Sequence, residues 1–82
     1  MSGMRRSNLD VTVDILEIAQ GGVNKTKMVY GSNLNFAIVK RYINTLINGG
    51  FLEVEGKQYS TTERGVKFVE EYRDLIKPLQ NI

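Results

Sequence analysis

Apolar positions near the start of the chain recur at helical spacing. Leu9, Val13 and Leu16 lie four and three residues apart, so the pattern predicts an amphipathic helix over about residues 9–20. Asn8 is placed to cap its N-terminus, because Asn side chains accept hydrogen bonds from the first free N–H groups of a helix. The pair Gly21-Gly22 is expected to end it, since glycine accepts a left-handed backbone.

Two further helices are predicted before residue 50. Asn24 would cap a short helix over about 25–30, which Gly31 would end. Asn35 would cap a third helix over about 35–48. Two helices joined by a turn of about four residues that includes a glycine are typical of a helix-turn-helix.

Strand periodicity replaces helical periodicity after the third helix. In the segment 51–55, Leu52 and Val54 alternate with acidic residues, which favours a strand. Gly56-Lys57 would turn the chain into a second strand over 58–61. A hairpin in this place is what a wing requires.

A last helix is predicted over 62–77, with Thr62 as its N-cap. Pro78 should end or kink it, because proline lacks an N–H and clashes with the preceding turn. Its apolar residues follow a heptad-like spacing that indicates a helix pairing with a second copy of the chain. The expected dimerisation residues are Phe68, Tyr72, Leu75, Ile76 and Leu79, with Ile82 completing the seam.

These elements predict an α+β, mainly α fold: a winged helix-turn-helix with a three-helix core, a two-stranded wing and a C-terminal helix. The 82 residues suit one small domain, expected at 8–77. Residues 1–7 would form a flexible basic N-terminus, in which Arg5 and Arg6 are a basic arm or a solvated end. Residues 78–82 would form a short tail.

Composition narrows the chemistry. The chain has no Cys and no His, which excludes disulfides, the usual zinc ligand sets and the common nucleophile–base pairs. No glycine pattern of a phosphate or dinucleotide loop is present. We therefore expect no enzyme activity, no cofactor, no metal site and no evident small-molecule ligand. No apolar run approaches the roughly 20 residues of a membrane span, so a cytoplasmic, nucleoid-associated protein is expected.

Charge is unevenly distributed, although the net charge is only +2. The segment from Ile18 to Leu52 contains no acidic residue, and it holds Lys25, Lys27, Lys40 and Arg41. Such a segment would attract a polyanion.

The third helix has two contrasting faces. One face carries Val39, Ile43, Leu46 and Ile47, and the opposite face carries Ala37, Lys40, Arg41, Asn44 and Asn48. Arg and Lys donate to guanine, and Asn bonds adenine, so the second face suits the major groove. The candidate DNA-binding residues are Lys25, Thr26, Lys27, Asn33, Asn35, Lys40, Arg41, Asn44 and Lys57. Phe36 and Tyr42 are expected in the core, with stacking on bases as the alternative, and Tyr59 is expected to pin the wing to the body.

Several short motifs resemble one known family. They are Met28-Val29-Tyr30-Gly31-Ser32-Asn33-Leu34-Asn35-Phe36, Arg41-Tyr42-Ile43 with Leu46, Gly50-Phe51-Leu52, and Gly56-Lys57-Gln58-Tyr59 with Thr62, Gly65 and Phe68. Together they resemble the archaeal winged-helix family that includes small chromatin-associated DNA-binding proteins, over about residues 10–74. The resemblance implies DNA binding through the third helix and the wing, with Arg41 and Lys57 at the best-matching basic positions. It also implies a dimer built on a long C-terminal helix, for which Pro78 leaves little room.

The leading hypothesis is a double-stranded DNA-binding transcriptional regulator that forms a homodimer. An architectural chromatin protein of low sequence specificity is the first alternative. A winged helix that binds another protein is the second, and exposure of Phe36 and Ile38 would favour it.

Overall fold

The computed structural model describes residues 7–81, so Arg5, Arg6 and Ile82 lie outside the described residues. Within this range the order of elements predicted from the sequence is confirmed. The helices are α1 (Asn8–Ile18), α2 (Lys25–Ser32), α3 (Phe36–Asn48) and α4 (Glu63–Ile76), the strands are β1 (Leu52–Glu55) and β2 (Gln58–Thr61), and a 3₁₀ helix follows at Lys77–Asn81. The fold is mainly helical, with one antiparallel hairpin after the helix-turn-helix.

Helix α1 begins one residue earlier than predicted. Ser7, not Asn8, is its N-cap: the Asp10 N–H donates to Ser7 Oγ at 3.1 Å, and the Ser7 N–H donates to Asp10 Oδ2 at 3.2 Å. This reciprocal box satisfies two otherwise free donors, which a single cap at Asn8 would not do. The helix also ends at Ile18, two residues before the expected Gln20.

The end of α2 differs from the prediction as well. The helix continues through Gly31 to Ser32, and Asn33 ends it in the left-handed conformation at φ 59°. Asn is the residue after Gly that best tolerates this conformation. Gly31 instead lets α2 approach α1, since a Cβ there would lie 3.1 Å from Ile18 Cδ1.

One hydrophobic core joins α1, α2, α3, β1 and α4. Its buried apolar side chains are Val11, Val13, Ile15, Leu16, Ala19, Val23, Met28, Val39, Ile43, Leu46, Leu52 and Val69. Leu9, predicted on the same stripe, is instead exposed near the start of α1. The buried residues of α3 are Val39, Ile43 and Leu46, so the core covers only one face of this helix.

The wing is the β1–β2 hairpin, with Leu52 opposite Thr61 and Glu55 opposite Gln58. Strand β2 also pairs with the segment after α1: the Val23 N–H donates to the Tyr59 carbonyl at 2.9 Å, and the Tyr59 N–H donates to the Val23 carbonyl at 2.7 Å. Tyr59 thus ties the wing to the body, as predicted, and β1 is left as the edge strand.

Helix α4 is fastened to α1 by polar contacts. The Tyr72 hydroxyl donates to Asp10 Oδ1 at 2.6 Å, and Arg73 forms an ion pair with Glu17. The hydrogen bond to the Asp10 carboxylate, with partial burial, raises the pKa of Tyr72 above its ordinary value. Past Ile76 the chain tightens into the 3₁₀ helix that contains Pro78, so the α-helix ends where proline was expected to end it.

Candidate nucleic-acid interface

The exposed side of α3 is a polar surface without carboxylates. Val39, Ile43 and Leu46 are buried, which turns the opposite side to solvent, as the helical pattern predicted. We name this opposite side the recognition face; its exposed residues are Ala37, Lys40, Arg41, Asn44 and Asn48. It offers the Lys, Arg and Asn donors that base edges accept in the major groove.

Two asparagines hold the start of α3 in place. Asn35 is the N-cap, with its Oδ1 accepting from the Ile38 N–H at 2.9 Å. Asn33 supplies the left-handed turn between α2 and α3. Both side chains are exposed, and the Asn35 oxygen is already engaged by the helix. Their structural role is thus evident, and contact with DNA is a further role that they could add.

The first turn of α2 lies beside the start of α3. Asn24 caps α2, because its Oδ1 accepts from the Lys27 N–H at 2.8 Å. Thr26 and Lys27 are exposed, whereas Lys25 is half-buried with its Nζ 5.0 Å from the centre of the Phe36 ring. This contact links α2 to α3 and brings a cation to the edge of the recognition face.

Phe36 is not a core residue, contrary to the prediction. It is the first residue of α3 and 54% exposed. A helix-terminal aromatic is buried only when another element covers it, and what meets this ring is the Lys25 side chain. Tyr42 was placed correctly: it is half-buried against the core, and its hydroxyl donates to Asn8 Oδ1 at 2.7 Å.

Tyr30 is an exposed aromatic that the sequence reasoning missed. It lies on α2 with 82% of its surface exposed. The signal was present in the pattern, because the buried residues Met28 and Ser32 are four apart. A residue midway between them on a helix points away from the core.

The wing presents opposite charges at its edge and its tip. Lys57 and Gln58 are exposed at the tip, where Gly56 turns the chain at φ 64°. Glu53 and Glu55 are exposed on the edge strand β1, a common protection against edge-to-edge pairing. These carboxylates would repel a phosphate backbone, so only the tip of the wing is suited to contact an anion.

Acidic residues are confined to other parts of the described chain. They lie on α1, β1 and α4, and none lies on α2 or α3. Two of them, Asp10 and Glu17, are paired with α4 side chains. Within the described residues, α2 and α3 therefore carry cations and no carboxylate, whereas the carboxylates lie on the other elements.

The apolar seam of α4 is divided between two surroundings. Phe68 and Tyr72 are half-buried and pack against the core of their own chain. Leu75 and Leu79 are 74% and 64% exposed, and Ile76 is half-buried. Of the described residues of the predicted dimerisation seam, only Leu75 and Leu79 are thus exposed to a partner.

Within residues 7–81, no three His, Cys, Asp or Glu side chains are arranged to hold a metal ion. None of the helices described there has both the length and the apolar character needed to cross a bilayer.

Comparison with known proteins agrees with this geometry. A family model described as winged helix-turn-helix matches residues 5–80. The chain is 31% identical over 74 residues to the uncharacterised protein MJ0287 of Methanocaldococcus jannaschii, which covers 89% of this chain and 76% of that protein. It is similar to the crystal structure of Sso10a-2, described as a DNA-binding protein from Sulfolobus solfataricus, with a TM-score of 0.80 and 25% identity over 93% of this chain and 84% of that one.

Proposed function

Because this chain belongs to the winged helix-turn-helix family, whose model matches residues 5–80, we propose that it binds double-stranded DNA. Helix α3 enters the major groove, and the wing tip meets the adjacent backbone or minor groove. The structural similarity to a protein described as DNA-binding supports this proposal. The observation that carries it is the recognition face, which is exposed, cationic and free of carboxylates.

Direct reading of bases falls to the middle of α3. Arg41 and Lys40 are suited to guanine O6 and N7, and Asn44, one turn further on, is suited to adenine. All three side chains are exposed, so no core contact has to break before they reach a base.

Phosphate contacts surround this face. Thr26 and Lys27 in the first turn of α2, with Lys25 behind them, are placed to meet one strand of the backbone. Asn33 and Asn35 at the turn before α3 would add polar contacts, and Lys57 would meet the backbone at the wing tip. Such contacts set the orientation of the protein on the duplex, and they carry no sequence information directly.

A regulator fits the surface better than an architectural coat. The described chain offers few cations around the recognition face, and affinity that rests on phosphates alone needs many. Arg41 and Asn44 supply the donors that sequence reading needs. We therefore propose a transcriptional regulator, with a low-specificity chromatin protein as the alternative that the test below separates.

A homodimer would give the regulator a two-fold operator. Leu75 and Leu79 at the end of the chain expose apolar side chains on one seam, and Ile76 lies beside them. Pairing of these residues between two copies would bury that surface. A dimer of this kind places two α3 helices in successive major grooves, about 34 Å apart.

The test is a titration of fluorescent duplex DNA at several salt concentrations, with random and palindromic duplexes side by side. Arg41→Ala is compared with Lys67→Ala, because Lys67 is also an exposed cation and lies on α4. We expect Arg41→Ala to weaken binding about tenfold or more, as loss of one base-reading pair does, and Lys67→Ala to leave it nearly unchanged.

The outcomes separate the candidate functions. Salt-dependent binding with a strong preference for particular duplexes supports a regulator, and equal binding of all duplexes supports an architectural protein. Absence of binding at low salt would overturn the DNA proposal. The protein-interaction function would then lead, because Phe36 is an exposed apolar side chain at the start of α3.

A further inference from the structure

An apolar ring stands at the leading end of the recognition face. Phe36 is the first residue of α3, and Lys40, Arg41 and Asn44 follow it at four, five and eight residues. At about 100° per residue, these spacings place Phe36 beside Lys40 and within about 80° of Asn44 around the helix, whereas Arg41 lies about 140° away. Ala37, the next residue, is also exposed and too small to shield the ring.

The ring is held in this place by contacts that leave much of it open. Lys25 Nζ lies 5.0 Å from the ring centre. Asn35, the residue before Phe36, caps the helix by accepting from the Ile38 N–H, which fixes the first turn of α3. Even so, 54% of Phe36 remains exposed.

The cations Lys25 and Lys40 lie next to the ring. An anionic polymer with an apolar group at the contact point therefore matches this surface better than an apolar protein segment does.

We propose that Phe36, together with Ala37, reads thymine by packing against its C5 methyl group. This inference rests on the proposed function, since it requires α3 to lie in the major groove. Residues at the N-terminal end of a recognition helix also contact base edges. Of the groups exposed in that groove, the thymine methyl is the apolar one, and Ala and Phe side chains are suited to it. The leading end of α3 would thus select thymine, while the polar residues behind it read neighbouring bases.

The experiment removes the methyl group and nothing else. A preferred duplex is first selected from a random library with the wild-type protein, and each thymine is then replaced singly by deoxyuridine. We expect one thymine per half-site at which the substitution weakens wild-type binding about fourfold, the effect of leaving one carbon group unburied. Phe36→Ala should discriminate clearly less than wild type between the thymine and uracil duplexes at that position, because the ring is lost and Ala37 alone remains. Phe36→Leu, which keeps an apolar side chain, should retain discrimination.

Tyr30→Ala is the matched control, because it removes an exposed aromatic ring that lies on α2. It should keep the full thymine preference, and thermal unfolding should show every variant folded. The proposal is overturned if no single uracil substitution alters wild-type binding, if the selected site lacks thymine, or if Phe36→Ala keeps the wild-type ratio. Any of these results with intact DNA binding leaves the proposed function standing and makes Phe36 available to a protein partner. Failure to bind any duplex would instead overturn both.

Discussion

Replacement of Gly65 by alanine is expected to destabilise the domain, although alanine is ordinarily the better helix former. Gly65 is buried in the first turn of α4, where the helix passes close to the wing. A Cβ there would lie 2.5 Å from Thr61 Cγ2 and closer still to the Phe51 carbonyl oxygen. That carbonyl accepts the Thr62 N–H at 2.9 Å, so it cannot retreat without loss of a hydrogen bond.

The free energy of unfolding follows from three opposing effects. Glycine to alanine in a helix interior stabilises by about 1 kcal/mol. Overpacking of a tight site costs about 1–3 kcal/mol, and a weakened backbone hydrogen bond costs about 1 kcal/mol. The net expectation for Gly65→Ala is a loss of about 1–3 kcal/mol, with Tm falling by about 4–8 °C for each kcal/mol in a domain of this size.

Circular dichroism during thermal and urea unfolding measures this change. Gly31→Ala is the matched control, since Gly31 is also within a helix and the three atoms nearest its added Cβ would be Ile18 side-chain carbons, from 3.1 Å. Side-chain atoms move more cheaply than a backbone carbonyl, so Gly31→Ala should cost clearly less than Gly65→Ala. A Gly65→Ala variant as stable as wild type would refute the close packing of α4 on the wing.

Three further outcomes are expected. Tyr72→Phe should destabilise the domain at neutral pH, because it removes the hydrogen bond to Asp10. That bond raises the pKa of Tyr72 above 10.0, so its contribution to stability is present below the unfolded pKa and is lost as pH rises through the higher folded pKa. Urea unfolding should therefore show the free energies of unfolding of wild type and variant converging in strong alkali. A difference that stays constant with pH would contradict this cause. Lys27→Ala should weaken binding to all duplexes alike and reduce the magnitude of the slope of log affinity against log salt by about 0.9 per protomer. An unchanged slope in the salt titration would show that Lys27 does not contact a phosphate. Light scattering should show wild type as a dimer and Leu75→Glu as a monomer at the same concentration, because Leu75 and Leu79 form the exposed part of the proposed seam. Equal masses for both proteins would exclude this interface.

Local patterns were enough to predict the order and type of the elements. Asn24, Asn35 and Thr62 each cap the helix that they were expected to cap. This success has a physical reason, since a cap depends on hydrogen bonds within one turn of the chain. The two faces of α3 were also predictable, because a long run with buried residues at helical spacing leaves little choice of orientation.

Two errors at helix ends arose where neighbouring residues compete for the same task. Ser7 rather than Asn8 is the N-cap of α1, because Ser7 and Asp10, three residues later, form a reciprocal pair of hydrogen bonds. Asn33 rather than Gly31 ends α2, because Gly31 lies inside the helix, where it allows close contact with Ile18. The first outcome was readable from the capping motif, but the second depends on how α1 and α2 pack.

The candidate site was predictable only in its α3 part. The sequence by itself determined that the segment 18–52 lacks acids and that Lys40, Arg41 and Asn44 share one exposed face. Tertiary structure alone decided that Phe36 is exposed at the start of α3, and that Phe68 and Tyr72 pack against the core while Leu75 does not. The reason is that periodicity identifies an apolar stripe, whereas burial of each residue along it depends on which distant element covers it.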